Sequence, residues 1–473
     1  MLDCFDFTEM CPEKSAILSL IAFLEPTPVE TVMSETITPK ATDNRPIKTI
    51  TRERLFLLSL ENAIFLEKYN GKFNRMILSL KNKDLLLIVL IYFGFCQMSF
   101  AQNLDKNCFK TGADRPELYL PLLKNKTIGV VTNQTGLMKD KTFLVDFLVK
   151  NDVKIKSIFA PEHGFRGDAD AGEYVKNGVD TKTGIPIVSL YGSNKKPKPD
   201  QLKGIDIVLF DIQDVGVRFY TYISTLTYVM EAAAENGVEV ILLDRPNPHD
   251  GYIDGPVLKN QWKSFVGMHQ IPVIYGLTIG EYGKMVNGEK LLNKGIQTKY
   301  TLIPMQGYHK TQRYAMSDKP SPNLPNDKSI NLYPSLCFFE GTQVSVGRGT
   351  DLPFQIYGSP WTKNLPYQFT PKPAAGAKDP FLNGKLCYGE NLSEYPEDLR
   401  TLNLDWLLKA YQNYKNPQQD FFLKNLFFDK LAGTDELRKQ IMAGKSASQI
   451  KDSWKNGLEN FQKIRTKYII YED

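Results

Sequence analysis

Between Lys126 and Pro248 the apolar residues follow two alternating spacings. "KTIGVVTNQTG", beginning at Lys126, is an apolar run that ends in a polar turn, the pattern of a strand. "KTFLVDFLVKND" places Phe143, Leu144, Phe147 and Leu148 on one helical face. "VKIKSIFAPEHG" and, after a long loop, "IPIVSLYG" are further strands. "IDIVLFDIQDVG" is apolar almost without a break, as in a strand buried on both faces. "TYISTLTYVMEAAAENG" predicts a helix closed by Gly237, and "VEVILLDRPNP" a strand stopped by Pro246. Strands alternating with helices predict βαβ units and a parallel sheet.

Beyond residue 258 the pattern changes. "LTIGEYGKMVNGE" carries Thr278 and, three residues on, Glu281, which predicts a capped helix start. The segment from Pro320 to Trp361 is rich in Pro, Gly and aromatic residues and is expected to be largely loop. After Leu404 the chain becomes helical again, as in "LDWLLKAYQNY" and "DELRKQIMAG". The expected architecture is α/β: a Rossmann-like parallel-sheet domain over 102–258, then a smaller α+β domain over 259–473.

The N-terminal part needs its own account. From Met76, Lys81 and Lys83 precede an apolar run from Leu85 to Phe95, and Ser99-Phe100-Ala101 has the small residues of a signal-peptidase site. The run is short for a membrane span, so 76–101 is expected to be a signal peptide cleaved before Gln102. A signal works from a chain's start, so Met76 is expected to be the initiating residue and 1–75 an upstream artefact or disordered extension. The product would be exported, periplasmic or secreted, and not inserted in the membrane.

Composition narrows the class. Hydrophobic residues make up 42% and charged residues 23% of the 473 residues, as in ordinary globular proteins. A net charge of +5 without a Lys/Arg block argues against nucleic acid. Cys108, Cys337 and Cys387 would remain after cleavage, and none has metal-ligand or CxxC spacing. No dinucleotide fingerprint, P-loop or GxSxG elbow is present, so no cofactor is expected and nucleotide binding and serine hydrolysis lose ground.

In an open parallel sheet the ligand crevice lies beyond the carboxyl ends of the strands. Those ends deliver Asn133 and Gln134; Glu162 and His163; Tyr191; Asp211, Gln213 and Asp214; and Asp244, Arg245 and Asn247. Many carboxylates without an obvious nucleophile suit acid/base work on a sugar. A general acid must keep its proton near neutral pH, and partial burial at a strand end favours this for Glu162. Glu173 or Asp211 would supply the second carboxylate. His163 would orient Glu162 or merely bond the backbone. With no third ligand at suitable spacing, the Glu–His pair predicts no metal.

The motifs "VVTNQTG", "FAPEHGFRGDADAGE", "DIVLFDIQDVGVRFYTYISTL", "DRPNPHDGYIDGPVL" and "PVIYGLTIGEY" together resemble the bacterial exo-β-N-acetylmuramidases of the NamZ type. "SINLYPSLCFFEGTQVSVGRGTDLPFQIYGSPW" resembles that family's second half, and the likeness spans roughly residues 104–473. The resemblance implies a Rossmann-like domain joined to a smaller one, with the active site in the cleft between them. It also implies release of N-acetylmuramic acid from the non-reducing ends of peptidoglycan fragments. The family's motif glutamates fall on Glu162 and Glu173.

Substrate contacts are then expected from Asn133, Asp211, Gln213, Arg218 and Asn247. A muramic lactyl carboxylate calls for a guanidinium, for which Arg166, Arg218, Arg245 and Arg348 are candidates. Phe354, Tyr357 and Trp361 could form a stacking wall or simply core. The alternative is a periplasmic muropeptide- or sugar-binding protein without catalysis, which would gain little from so many carboxylates.

Overall fold

A computed structural model describes residues 109–472, apart from 163, 167–176, 317 and 397. His163, Glu173, Cys108, the 76–101 segment and residues 1–75 lie outside the described residues. The chain enters through α1 (Pro116–Leu123), β1 (Thr127–Thr132), α2 (Leu144–Lys150) and β2 (Lys154–Ala160). Two short strands follow, β3 (Gly178–Val179) and β4 (Pro186–Ser189), then a single turn, α3 (Pro199–Leu202). β5 (Ile207–Asp211), α4 (Tyr222–Asn236) and β6 (Glu239–Leu243) complete the predicted run, and Gly237 ends α4 with φ of 66°.

The sheet has the order β3-β4-β2-β1-β5-β6-β7 and takes β7 from Tyr300–Ile303. β7 lies beyond residue 258 yet pairs in parallel with β6, and α5 (Ile279–Gly288) bridges the two in sequence. Among the described residues, only the β3–β4 pairing in this sheet is antiparallel. Period-two geometry explains the unbroken apolar strands. Val208 and Phe210 face one core with Val131, Phe159, Val240 and Leu242. Ile207 and Leu209 face the other, with Ile128, Val130, Ile158 and Ile241.

The second half holds α6 (Asp327–Leu336), β8 (Ile356–Ser359), β9 (Tyr367–Phe369) and β10 (Cys387–Asn391). These strands form a small antiparallel sheet in the order β8-β10-β9. Short helices follow: α7 (Asp405–Asn413), α8 (Phe427–Ala432), α9 (Glu436–Met442), α10 (Ala447–Asp452) and α11 (Lys455–Arg465). The chain is therefore α/β with a smaller antiparallel-sheet part. The stretch expected to be loop contains α6. Asn326 caps it by accepting from Ser329 N at 2.8 Å, and burial of Ile330, Leu332 and Leu336 outweighs Pro334.

A buried polar network ties the two halves at the β6–α5 connection. Thr278 and Glu281 form the predicted capping box, Glu281 N donating to Thr278 Oγ1 at 3.1 Å. Glu281 also accepts from Lys310 Nζ at 2.6 Å, and that ammonium donates to Asp250 at 2.9 Å with all three side chains buried. Asp244 accepts from Gly280 N at 2.9 Å, Thr278 Oγ1 at 2.8 Å and Tyr471 OH at 2.6 Å.

Two predictions follow from this network. Lys310→Met leaves two buried carboxylates without their cation, and urea denaturation should show a loss of about 3–5 kcal/mol. Burial pushes the Asp244 carboxyl up to about 7, with Glu281 adding to the rise. Its unfolded counterpart ionises at the ordinary 3.8, so this stabilisation is complete below that pH and is lost as pH rises through about 7. Thermal denaturation from pH 4 to 8 should show wild type losing stability relative to Asp244→Asn.

Candidate active site

Setting aside the short β3, the parallel strands run third, second, first, fourth, fifth, sixth across the sheet, so their order reverses between β1 and β5. The loops at that switch point are stapled by their own polar side chains. Asn133 Oδ1 accepts from Thr135 N at 2.9 Å and Thr135 Oγ1 at 2.6 Å, while its Nδ2 donates to Tyr222 OH at 2.8 Å. Thr135 Oγ1 in turn accepts from Gln213 N at 3.0 Å. Arg245 donates twice to Asp211, at 2.6 and 2.8 Å, and once to Leu137 O at 2.9 Å. Gln213 Nε2 donates to Asp214 O at 2.7 Å and Pro246 O at 2.6 Å. Asn247 bonds Leu277 O at 2.9 Å and His249 N at 2.7 Å, packed where any Cβ on Gly216 would strike it.

The cleft opens beside this stapled edge, on the β2 and β4 side. It encloses about 450 Å³ between the loops after those strands, the start of α4 and the segment following α6. Glu162, two residues past β2, lines it half-buried. Tyr191 OH donates to Glu162 Oε1 at 3.1 Å, and Thr221 Oγ1 donates to Oε2 at 3.3 Å. One hydroxyl comes from the loop after β4 and the other from the N-terminal end of α4, so three segments fix this carboxyl. Burial raises the Tyr191 phenol above its ordinary value, and Glu162 beside it raises it further, so Tyr191 stays a donor.

The four arginines separate. Arg166 forks onto Asp180 at 2.9 and 3.0 Å and lies over the rings of Phe143 and Phe165. Arg245 is committed to Asp211. Arg218 is fully buried and donates to Pro256 O at 2.8 Å, Ile271 O at 2.7 Å and Leu431 O at 2.9 Å. Burial pulls its guanidinium down to about 9. Arg348 alone of the four lines the cleft, its Nε donating to Glu340 Oε1 at 2.8 Å and its guanidinium lying 5.0 Å from the centroid of Phe354.

Of the expected aromatic wall, Phe354 lines the cleft. Tyr357 is buried against Phe339, ring centroids 4.8 Å apart, and its hydroxyl donates to Glu390. Trp361 packs edge-on to Tyr414 beside the small sheet. His249 and His269 are buried, and burial lowers both to about 4, away from proton exchange at neutral pH. Among the described residues no cluster of three or more His, Cys, Asp or Glu side chains could hold a metal ion, and no helix is long and apolar enough to cross a membrane. Cys337 and Cys387 are both free and buried.

Thr221, Glu340 and Phe265 line the cleft without having been singled out in the sequence. Thr221 carried a usable signal, because it immediately precedes α4 on the segment that follows β5. Glu340 carried none, since "CFFEG" reads as an ordinary turn.

The comparisons agree along the length of this architecture. The N-terminal model of the exo-beta-N-acetylmuramidase NamZ family matches residues 128–328, and its C-terminal model matches 331–471. The peptidoglycan beta-N-acetylmuramidase NamZ of Bacillus subtilis (strain 168) is 40% identical over 395 residues, covering 78% of this chain and 93% of that protein. A DUF1343 family protein of Bacteroides fragilis NCTC 9343, solved at 1.30 Å, shares 44% identity with a TM-score of 0.70, over 77% of this chain and 99% of its own. A second from the same strain, solved at 1.65 Å, shares 29% identity with a TM-score of 0.65 over the same shares. With both halves matched in order, the chain belongs to the exo-β-N-acetylmuramidase NamZ family.

Proposed function

We propose that the chain is an exo-acting glycoside hydrolase that releases N-acetylmuramic acid from the non-reducing ends of peptidoglycan fragments. The observation that carries this reading is the placement of Glu162 in a chain of this family: a half-buried carboxyl lining the cleft, held by two hydroxyls from separate segments. Glu162 donates its proton to the glycosidic oxygen as the C1–O bond breaks. Hydroxyls accept as readily as they donate, so Tyr191 and Thr221 serve Glu162 in either protonation state. Glu173 or the substrate's own N-acetyl group supports the oxocarbenium-like centre until a water molecule bonds to C1 and gives up one proton, which yields the free sugar. His163, next to Glu162, orients the acid in this scheme.

Arg348 receives the lactyl carboxylate. Its Nε is anchored by Glu340, which leaves the two terminal nitrogens for a two-pronged contact. Asn133, Asp211, Gln213, Arg245 and Asn247 act on the substrate through the loops they hold, and Arg166, Arg218 and Tyr357 support the surrounding structure. An export signal at 76–101 suits a substrate outside the cytoplasmic membrane, in the periplasm or beyond.

The test uses a chromogenic N-acetylmuramic acid glycoside beside its N-acetylglucosamine counterpart. Wild type should release chromophore from the muramic compound alone. Glu162→Gln should lower kcat about 100- to 10,000-fold with an unchanged melting temperature. Full activity in that variant would remove Glu162 from the role, and binding without release by wild type would favour a sugar-binding protein. Arg348→Met should raise KM for the muramic glycoside about tenfold or more, with a smaller effect on kcat.

A further inference from the structure

The lining of the cleft has two chemically different parts. In one, Tyr220 packs edge-on to Tyr333, Tyr333 packs on Phe354, and Arg348 lies over Phe354 with Glu340 as its anchor. In the other, the loop that carries Tyr191 continues to Lys195, whose Nζ lies 5.0 Å from the centroid of Phe265. Phe265 and Val266 both line the cleft there.

These two residues occupy an unusual position. Ser264 and Gly267 exchange two backbone hydrogen bonds of 3.0 Å, which leaves Phe265 and Val266 as the tip of a tight turn. Turn tips favour Gly, Asn, Asp and Pro, and an apolar pair there gains nothing from the turn itself. Val266 packs against the main core, whereas Phe265 belongs to none of the hydrophobic cores of the described residues. Among the described residues its ring partner is Tyr228, nearly parallel at 12° with centroids 6.1 Å apart, and both residues are half-buried. The turn is nevertheless fixed. Leu258 N donates to Ile271 O at 3.1 Å across its base, and Arg218 ties Pro256 O and Ile271 O together from beneath.

We propose that the Phe265–Val266 turn is the leaving-group subsite, an aromatic lip that stacks on the neutral N-acetylhexosamine attached to the muramic unit. This rests on the exo-muramidase reading for the direction of the substrate. The anionic sugar goes to the guanidinium side, and the neutral sugar places its apolar C–H face on Phe265, with Lys195 closing over the ring. A neutral sugar brings no charge that the Lys195 ammonium would have to match, and the half-buried Phe265 ring gains an apolar partner in addition to Tyr228 and Lys195.

The experiment measures binding apart from catalysis. Wild type and Phe265→Ala are titrated by calorimetry with the neutral β-1,4 disaccharide of N-acetylglucosamine and, separately, with N-acetylmuramic acid. The alanine variant should bind the disaccharide about 5- to 10-fold more weakly and muramic acid within about twofold of wild type, and Phe265→Trp should restore disaccharide affinity. Unchanged disaccharide affinity in the alanine variant, no disaccharide binding by wild type, or a parallel loss of muramic acid binding would each overturn the subsite. Failure of the exo-muramidase reading shows elsewhere, as absence of release from the muramic glycoside, and leaves the two affinities measurable.

Discussion

A guanidinium buried among carbonyls is the constraint on which the cleft depends. Arg218 is fully enclosed, and its donors reach three backbone oxygens rather than a carboxylate. A buried charge is tolerated only when hydrogen bonds replace its water, and a planar fork of five N–H groups suits carbonyls arriving from different directions. Those carbonyls belong to Pro256 and Ile271, at the two ends of the segment bearing the aromatic turn, and to Leu431 in α8. The residues directly after Arg218, from Phe219 to Tyr222, line the cleft themselves. One side chain thus joins floor, lip and far wall at a point beneath all three.

Around it the polar residues divide by task. At the β1–β5 switch point, Asn133, Asp211, Gln213, Arg245 and Asn247 serve other side chains and backbone, so the loops there are pre-set before any ligand arrives. The charged groups that line the opening are Glu162, with its two hydroxyl partners, Arg348 with Glu340, and Lys195. Under the proposed function this division would serve electrostatic preorganisation, in which a rigid outer layer holds a small number of reacting and binding groups.

The parallel sheet was legible because its signals are local. Period-two alternation facing two cores produces unbroken apolar runs, and Gly237 and the Thr278–Glu281 box mark helix ends by side-chain chemistry alone. Glu162 was legible because a strand end followed by Pro161 has one structural destination. The roles of the arginines were not legible. Arg166, Arg218, Arg245 and Arg348 look alike in sequence, and their separation depends on partners at Asp180, Leu431, Asp211 and Glu340, three of them many residues away or on other elements. The helix at Asp327–Leu336 was hidden by Pro334, since its stability comes from burial and not from propensity. β7 was missed as a sheet strand because its short, half-polar run declares itself only beside β6.

The bond from Tyr471 to Asp244 spans 227 residues, and Lys310 N donates at 2.9 Å to the carbonyl of Glu472. During synthesis the sheet's carboxyl edge therefore emerges long before the groups that complete it. Until Tyr471 leaves the ribosome, the Asp244 carboxyl lacks one of its four described donors, and the nascent α/β half keeps a polar gap beside its apolar core. Closure of this edge of the fold is thus a late, non-local event.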